Sequence, residues 1–366
     1  MSREHTQILM FVSAIFALGL VMIFSTTSAD LLDHERDEGL YQPLFKQMSY
    51  ACAGIFLAWI VARRGLESWL RYSPLLLAFI SILLVLVLIP GVGREVNGAK
   101  RWLSIAGMSL QPSEFLKFII PLYIVHAFRE KEFLVHSYKE CARLLSPLII
   151  PLGLVLLEPN NGTVALILVE IIVLLFVMGV KKRIWAAPIL LLVCLGIGAA
   201  FLLPYVSGRI DVFLHPEKDL LGRGHQPYQA KIAAGSGALF GKGPGNSWQK
   251  LSYLPEAQND YIAAIYAEEY GFAGILLLIS LFMGLSLTMA QIAMGAKDKA
   301  TLCVFAGVMT VLSIQAFLNL AVVSGLAPST GLNLPFFSQG GSSLMANLAG
   351  LGLLFSSKEH RENSYL

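Results

Sequence analysis

Long apolar runs separated by short polar connections dominate the hydrophobic pattern of the chain. A run of 18 or more apolar residues is long enough to cross about 30 Å of hydrocarbon as a helix. The pattern predicts ten such segments, at approximately 8–29, 47–63, 73–92, 113–128, 144–158, 163–180, 184–206, 261–294, 300–325 and 341–356. The eighth is too long for one simple span, so we expect its first part to start above the membrane or to run steeply tilted.

Composition agrees with an all-α polytopic membrane protein of about ten transmembrane helices. Of 366 residues, 56% are hydrophobic and 14% charged, whereas soluble domains carry about a quarter charged residues. The mean hydropathy is +0.67. No segment outside the spans is large enough to fold alone, so we expect one membrane domain over 1–366, with a large extracytoplasmic loop at 207–260. The N-terminal apolar run is too long for a signal peptide and no small-residue cleavage site follows it, which favours a first span.

Lysine and arginine predict the orientation of these spans, because short cytoplasmic loops are enriched in both. Every second connection is basic, at 63–71, 129–143, 181–183 and 297–299. The first connection on the other side, DLLDHERDEGL, is acidic, and those at 158–162 and 325–341 contain no lysine or arginine. Both termini are therefore expected in the cytoplasm and residue 260 outside.

Two outer connections, 93–116 and 207–260, are nevertheless rich in basic residues. Long loops are translocated largely regardless of their charge, which accounts better for 207–260 than for the shorter loop. The alternative is that these charges bind an anionic group at the outer membrane surface. A phosphate is the natural candidate, since Arg and Lys are its usual partners.

The stretch 97–118, NGAKRWLSIAGMSLQPSEFLKF, leads into the fourth segment. Pro112 and Glu114 are ordinary residues for a helix start. Glu114 and Lys117, however, lie three residues apart on one helix face at the membrane edge. Ionisable residues in or near a span are candidates for function.

The stretch 158–172, EPNNGTVALILVEII, makes a tight polar turn between two spans. Glu170 lies well inside the second of them. It is read either as a residue that faces the bundle interior and is hydrogen-bonded there, or as a catalytic group.

The stretch 226–261 is dense in glycine and proline, with seven between residues 235 and 255. Such density indicates backbone that bends tightly or approaches a ligand closely. Its part at 230–241 is apolar enough to lie on or dip into the bilayer, and the order of a P-loop is absent. Asp260, at its end, is read either as a helix N-cap or as a partly desolvated carboxylate able to accept a proton.

The stretch 325–350, GLAPSTGLNLPFFSQGGSSLMANLAG, has no charge and many hydroxyls. Non-helical backbone at membrane depth is tolerated only against protein or a polar cavity, so we expect a folded loop that lines such a cavity. Its glycine-rich turns offer backbone N–H groups to an anion. A plain external loop is the alternative.

Together these stretches resemble the SEDS family (shape, elongation, division and sporulation) of peptidoglycan glycosyltransferases. Motif residues of the first two matching stretches are Gly98, Arg101, Trp102, Gln111, Pro112, Ser113, Glu114 and Lys117, then GSGALFGKG, Leu254, Pro255, Glu256, Ala257 and Asp260. Those of the last are Pro328, Thr330, Gly331, Leu334, Pro335, Ser338, Gly340, Gly341, Ser342 and Ser343. The order and the ten-span layout agree along nearly the whole chain.

The resemblance implies polymerisation of lipid II, a disaccharide-pentapeptide on undecaprenyl pyrophosphate, at the outer face of the bacterial inner membrane. It implies that Asp260 is the catalytic base. Candidates around the pyrophosphate are Arg101, Lys117, Arg209 and Lys242, with Glu114 holding Lys117 and with Glu256 and Glu268 as weaker candidates. The uncharged residues Ser338, Gly340, Gly341 and Ser342 complete the expected substrate-binding set.

The first span and YLPEA look more like the cell-division branch, FtsW, than the elongation branch, RodA. A division member would work at the septum with a class B penicillin-binding transpeptidase and other division proteins; no nucleic acid is expected. Three positions depart from the family pattern: Asn160, Gln258–Asn259 and Gln339. A lipid II flippase, an elongation polymerase and a non-catalytic scaffold are the competing functions.

Cysteine usage predicts neither a disulfide nor a metal site. Cys52, Cys141, Cys194 and Cys303 show no metal or redox spacing. A divalent cation, Mg²⁺ or Mn²⁺, would suit a pyrophosphate by its chemistry, but no residues in the sequence are assigned to hold one.

Overall fold

Helices make up most of the chain in the computed structural model, which describes residues 2–34, 41–96, 99–105, 107–186, 208, 211–220, 222, 224–251, 254 and 257–356. In the first half these helices are α1 (Arg3–His34), α2 (Gln42–Arg64), α3 (Leu66–Leu88), α4 (Pro112–Arg129), α5 (Tyr138–Leu145), α6 (Ile149–Leu157) and α7 (Asn161–Val177). In the second half they are α8 (His225–Ser236), α9 (Ile262–Met294), α10 (Lys299–Val323) and α11 (Gly341–Leu354). Short 3₁₀ turns cover Ser146–Leu148 and Pro216–Asp219.

Six stretches of helix within the described residues are long and apolar enough to cross a membrane. They are Arg3–Ser28, Gln42–Arg64, Leu66–Leu88, Tyr138–Leu157, Ile262–Met294 and Lys299–Val323. Helices α7 and α11 are apolar but shorter, and α4 carries three charged residues within its 18. The predicted segment at 184–206 lies mostly outside the described residues. The membrane fold is thus confirmed, while the count of ten spans stays a prediction.

Helix α10 lies at the centre of the bundle, where it packs against α4, α7, α9 and α11. Its most apolar window is 61% buried inside the protein, against 33% or less in the other five spans. Around it, α1 packs on α9, α2 on α11 and α3 on α4. The centre of the molecule is therefore formed by helices from both halves of the sequence.

The third span begins earlier than predicted. Helices α2 and α3 are joined by Gly65 alone, so α3 starts at Leu66 rather than near residue 73. Arg71 consequently lies inside α3 and not in the connection before it. A hydropathy pattern does not detect a polar helical turn that precedes an apolar run. The predicted start of α3 was therefore too late in the sequence.

A small antiparallel sheet, which the sequence did not predict, occupies the connection before α4. It has the strand order β1 (Gly93–Val96), β2 (Ala99–Ile105) and β3 (Met108–Leu110). Arg94 pairs with Trp102, and Leu103 pairs with Leu110. The strand pairing fixes the direction in which the β2 side chains point.

Helix α9 is broken at Gly271, whose backbone (φ 65°, ψ −164°) is not helical. The break frees backbone groups on both sides, and the loop at 238–243 satisfies them. The amides of Lys242 and Gly243 donate to the carbonyls of Glu268 and Glu269 at 2.9 and 3.0 Å. The amides of Phe272 and Ala273 donate to the carbonyls of Ala238 and Leu239 at 2.9 and 3.0 Å. The long eighth segment is thus two helical pieces clasped by the glycine-rich loop.

Candidate functional site

The sequence stretches 97–118 and 325–350 meet at the start of α4. The amide of Gln111 donates to Ser342 Oγ at 2.9 Å, and Ser342 Oγ donates to the Ser109 carbonyl at 2.7 Å. One hydroxyl therefore joins strand β3, the N-terminus of α4 and the first turn of α11. Ser342 is buried, and its hydroxyl is occupied by these two contacts.

Lys117 and Glu114 form the predicted pair, but they lie in the protein interior rather than at an open edge. The Lys117 side chain is 0% exposed, and its Nζ donates to Glu114 Oε2 at 2.8 Å. The same Nζ donates to Gln315 Oε1 at 2.7 Å, and Gln315 Nε2 donates to the Asn333 carbonyl at 2.8 Å. Lys117 thus connects α4 through α10 to the loop before α11.

Asp260 lies against this same loop. Asn319 Nδ2 donates to the backbone carbonyls of Asp260 and Leu332, both at 2.8 Å. The Asp260 carboxylate faces Gly331, where an added Cβ would stand 3.8 Å from Oδ2. The half-buried Asp260 is therefore held by its backbone while its carboxylate points at a residue without a side chain.

The N-cap interpretation of Asp260 is wrong. Tyr261 is the N-cap of α9, and no side chain caps the helix there. Burial, and then the charge of Asp260, raises the pKa of the Tyr261 hydroxyl above its ordinary value. The protonated hydroxyl of Tyr261 thus directly follows the carboxylate of Asp260, which does not cap α9.

The stretch 158–172 meets the stretches 97–118 and 325–350 through close contacts. Gly162 lies so near the Thr330 carbonyl that an added Cβ would stand 2.2 Å from its oxygen. Asn160 caps α7 by accepting from the Thr163 amide, and its Nδ2 donates to Ser113 Oγ at 3.3 Å. The departure from the family pattern at Asn160 is accommodated by these neutral contacts.

Gln258 and Gln339, two other departures, contact each other. The amide of Gln339 donates to the Gln258 carbonyl at 3.0 Å. The contact uses backbone atoms of both residues, so it does not depend on the identity of their side chains. It ties the segment before Asp260 to the turn that precedes α11.

Arg101 projects from β2 onto the turn between α6 and α7. Its Nε and Nη2 donate to the carbonyls of Glu158 and Pro159 at 2.9 and 2.8 Å. The Glu158 side chain is fully buried, and within the described residues neither of its carboxylate oxygens has a hydrogen-bond partner. Burial raises the pKa of Glu158 to about 8, and the charge of Arg101 opposes this only in part.

Lys242 has a structural partner. Its Nζ donates to Glu268 Oε1 at 2.6 Å. The buried Glu268 carboxylate also accepts from the hydroxyls of Ser236 and Ser247 and from the amides of Trp248 and Gln249. This cluster fastens the glycine-rich loop to the first piece of α9.

The remaining candidates shape the turn before α11. Ser338 Oγ accepts from the Leu334 amide at 2.9 Å, and Gln47 Nε2 donates to the Ser338 carbonyl at 3.3 Å. Gly340 is the N-cap of α11 and packs against Asn333, while Gly341 packs against the Tyr50 ring. Arg209 and Glu256 lie outside the described residues.

Gln315 and Asn319 are site residues that the sequence reasoning missed. They stand four residues apart in α10, so they share one helix face, and both are buried. Two amides on one face of an otherwise apolar helix are a detectable signal. Glu170 is fully buried as expected, yet neither of its oxygens has a hydrogen-bond partner within the described residues.

Chemically, the arrangement offers a half-buried carboxylate beside a folded neutral loop, with Arg101 on the far side of the α6–α7 turn. A carboxylate so placed can accept a proton from a hydroxyl. Within the described residues, no group of three or more His, Cys, Asp or Glu comes together in a way that could hold a metal ion.

Comparisons with known proteins agree with this picture. Residues 5–363 match the family FtsW/RodA/SpoVE, described as "Cell cycle protein". A probable peptidoglycan glycosyltransferase FtsW of Trichlorobacter lovleyi is 37% identical, over 95% of this chain and 91% of that protein. Stage V sporulation protein E of Bacillus subtilis is 35% identical over 93% of each chain.

Solved structures show the same fold. One, described as "Structural coordination of polymerization and crosslinking by a peptidoglycan synthase complex", superposes with a TM-score of 0.76 at 28% identity, over 97% of each chain. Rod shape determining protein RodA of Thermus thermophilus superposes with a TM-score of 0.67 at 26% identity, over 97% of this chain and 96% of that one.

Proposed function

The chain belongs to the FtsW/RodA/SpoVE family, and we propose that it is a peptidoglycan glycosyltransferase of the FtsW type that polymerises lipid II. The observation that carries this proposal is the convergence of four distant stretches around Asp260. Hydrogen bonds and close contacts link 109–117, 160–163, 258–260 and 330–342. Similarity to proteins named peptidoglycan glycosyltransferase supports the reaction class.

Asp260 is proposed as the general base. It takes the proton from the 4-hydroxyl of the acceptor sugar, whose oxygen then bonds to C1 of the donor sugar. The bond between C1 and the pyrophosphate oxygen breaks, and undecaprenyl pyrophosphate leaves with the electron pair. Positive charge that faces the leaving group lowers the barrier of this step.

Arg101 is proposed as a cation near the leaving pyrophosphate, together with Arg209 from the long loop. Two hydrogen bonds, to the carbonyls of Glu158 and Pro159, hold the Arg101 guanidinium in place. Lys117 and Glu114 are assigned to positioning, because their buried pair braces α4 against α10. Lys242 and Glu268 hold the loop that leads to Asp260, and Glu256 is retained as a substrate-binding candidate.

The setting proposed for this activity follows the family. The chain forms one unit over 1–366 in the bacterial inner membrane, with both termini in the cytoplasm and Asp260 outside, at the division septum. A class B penicillin-binding transpeptidase is the proposed partner, along with other division proteins. Reporter fusions at each terminus, active only in the cytoplasm, test the orientation.

The test of the function is lipid II polymerisation by purified protein, alone and with the transpeptidase, for wild type and Asp260→Asn. Asp211→Asn is the matched control, since Asp211 is an exposed carboxylate of the same loop and pairs with Lys218. Glycan chains from wild type and the control, with none from a folded Asp260→Asn protein, are expected. Equal chains from all proteins would remove Asp260 from the chemistry.

Transport of lipid II is the second candidate, and one observation favours it. Glu114, Lys117 and Glu170 are all buried within the bundle, and transporters hold charged groups at such depth. Translocation of labelled lipid II into vesicles that survives Asp260→Asn, without glycan synthesis by wild type, would support transport and contradict polymerisation. A RodA-like role in elongation is tested by which gene deletion the chain complements.

A further inference from the structure

Three of the four lysines that the structure describes in loop 207–260 have acidic partners. Lys218 pairs with Asp211, Lys242 with Glu268 and Lys250 with Glu269, at 3.0, 2.6 and 2.8 Å. The fourth, Lys231, makes no hydrogen bond or ion pair with any residue that the structure describes. Its charge is therefore available to a ligand, whereas the other three are already neutralised.

Lys231 lies on α8, and its side chain reaches across to the segment that follows α10. A Cβ added at Gly325 would stand 2.0 Å from Lys231 Cε and 2.9 Å from Nζ, so the lysine stem lies directly on that glycine. Lys231 and Ser329 both line a cavity of about 20 Å³ between these elements. Such a cavity holds about one water-sized group, which is also the size of a phosphate oxygen.

This cavity adjoins the proposed catalytic carboxylate. Ser329 is two residues from Gly331, so their Cα atoms are at most about 7 Å apart. Gly331 in turn faces Asp260. The ammonium at Gly325 and the carboxylate at Gly331 thus contact the same short segment, 325–331.

We propose that Lys231 binds a phosphate of the lipid-linked pyrophosphate substrate, with the Ser329 side of the cavity receiving one of its oxygens. This inference rests on the proposed function and adds to it a cation that the sequence reasoning did not select. The ammonium is a point charge with three donors, which suits phosphate. Its partly buried position strengthens the attraction relative to an ion pair in open water.

A purely structural role for Lys231 is the alternative to phosphate binding, and two contacts are consistent with it. The lysine stem covers Gly325, and the ammonium lies near the C-terminal end of α10, where positive charge is favourable. Lys231→Met keeps the stem and removes the charge, while Lys231→Arg keeps both. Lys218→Met is the matched control, because it removes another lysine charge of the same loop at an exposed site.

The experiment measures binding of undecaprenyl pyrophosphate to the full-length chain in vesicles, beside the KM and kcat of lipid II polymerisation with the transpeptidase. Lys231→Met should weaken undecaprenyl pyrophosphate binding and raise KM roughly ten-fold, the effect of losing one charge-assisted contact. Binding of undecaprenol, which lacks phosphate, should not change. Lys231→Arg should stay within about three-fold of wild type, as should Lys218→Met, and the thermal unfolding temperature of Lys231→Met should match wild type.

Several outcomes would overturn the inference. Unchanged affinity of Lys231→Met for undecaprenyl pyrophosphate would do so, as would equal weakening of undecaprenol binding. An effect seen only in phosphatidylglycerol vesicles and not in phosphatidylcholine vesicles would assign Lys231 to a phospholipid headgroup instead. Because binding is measured without turnover, absence of polymerisation by wild type would contradict the proposed function while the binding comparison still decides the role of Lys231.

Discussion

Lys117 is a cation with no exposed surface, and its charge is balanced by one carboxylate and one amide oxygen. Removing one member of a buried ion pair leaves the other without compensation, which costs about 3–5 kcal/mol. Lys117→Met should therefore lower the free energy of unfolding by about that amount and reduce activity through loss of structure. Unfolding in detergent, followed by tryptophan fluorescence, measures the change.

The double variant Glu114→Gln/Lys117→Met separates charge pairing from substrate binding. It removes both charges, so part of the lost stability should return relative to Lys117→Met alone. Lys131→Met, at an exposed lysine just beyond α4, is the control and should change stability by less than about 0.5 kcal/mol. A stable but inactive Lys117→Met protein would show instead that Lys117 acts on the substrate.

Glu158 should make stability depend on pH in an unusual direction. Burial raises its pKa from 4.5 to about 8, so the folded protein binds this proton more tightly than the unfolded chain does. The free energy of unfolding contributed by Glu158 therefore falls as pH rises from about 4.5 to about 8. Glu158→Gln cannot ionise and should lose less stability over this interval, with a difference of at most a few kcal/mol.

Thermal unfolding in detergent at pH 5 and pH 8 checks this expectation. Glu95→Gln, at an exposed carboxylate of β1, is the control and should follow wild type at both values. If wild type and Glu158→Gln show the same change between pH 5 and pH 8, then Glu158 ionises freely in the folded protein.

At the scale of single elements, the break in α9 depends on Gly271. Its backbone conformation is one that essentially only glycine adopts. A Cβ there would also stand 2.3 Å from the Gly241 amide nitrogen. Gly271→Ala should therefore push the 238–243 loop off the helix and expose the backbone groups that the loop now satisfies.

The expected cost of Gly271→Ala is more than about 3 kcal/mol, since strain and lost hydrogen bonds add. Gly235→Ala in α8 is the control, because nothing lies within 4 Å of its added Cβ; it should be neutral or slightly stabilising. Limited proteolysis within 238–251 reports release of the loop. Equal protease resistance of both variants would mean that α9 tolerates a continuous helix.

Different elements of this fold were predictable to different degrees. Apolar runs indicate α1, α2 and α10 directly, because length and composition suffice for a span. The sheet at 93–110 was missed because its strands are short and their pairing depends on a hairpin at Gly107 rather than on a hydrophobic period. The break at Gly271 was missed because it depends on a loop some thirty residues earlier.

The candidate site divides in the same way. The Glu114–Lys117 pair follows from helical spacing and was predicted. Its bond to Gln315 was not, since spacing within one helix does not tell which distant helix faces it. Lys242 was predicted to bind the pyrophosphate because of its charge, yet in the folded protein its ammonium forms an ion pair with Glu268. The sequence thus identifies residues whose side chains are chemically suited to bind the substrate. Tertiary packing decides which of those side chains are already paired with another residue of the protein.

At the scale of the whole molecule, the site exists only where distant stretches are held together, and Gly162 tests that arrangement. The first turn of α7 and the loop before α11 are separated by well over a hundred residues, yet an added Cβ at Gly162 would stand 2.2 Å from the Thr330 carbonyl oxygen. Thr330 precedes Gly331, which faces the Asp260 carboxylate. Any displacement of this loop should therefore be transmitted to Asp260.

Gly162→Ala should accordingly reduce kcat of lipid II polymerisation by roughly a hundred-fold, the effect of a displacement of about 1 Å at a reacting group. Gly153→Ala in α6 should retain activity, because nothing lies within 4 Å of its added Cβ. The helices outside the contact are untouched, so both variants should insert and purify alike. Full activity of Gly162→Ala would mean that the 325–340 loop can move without disturbing Asp260, and that the four stretches act separately rather than as one site.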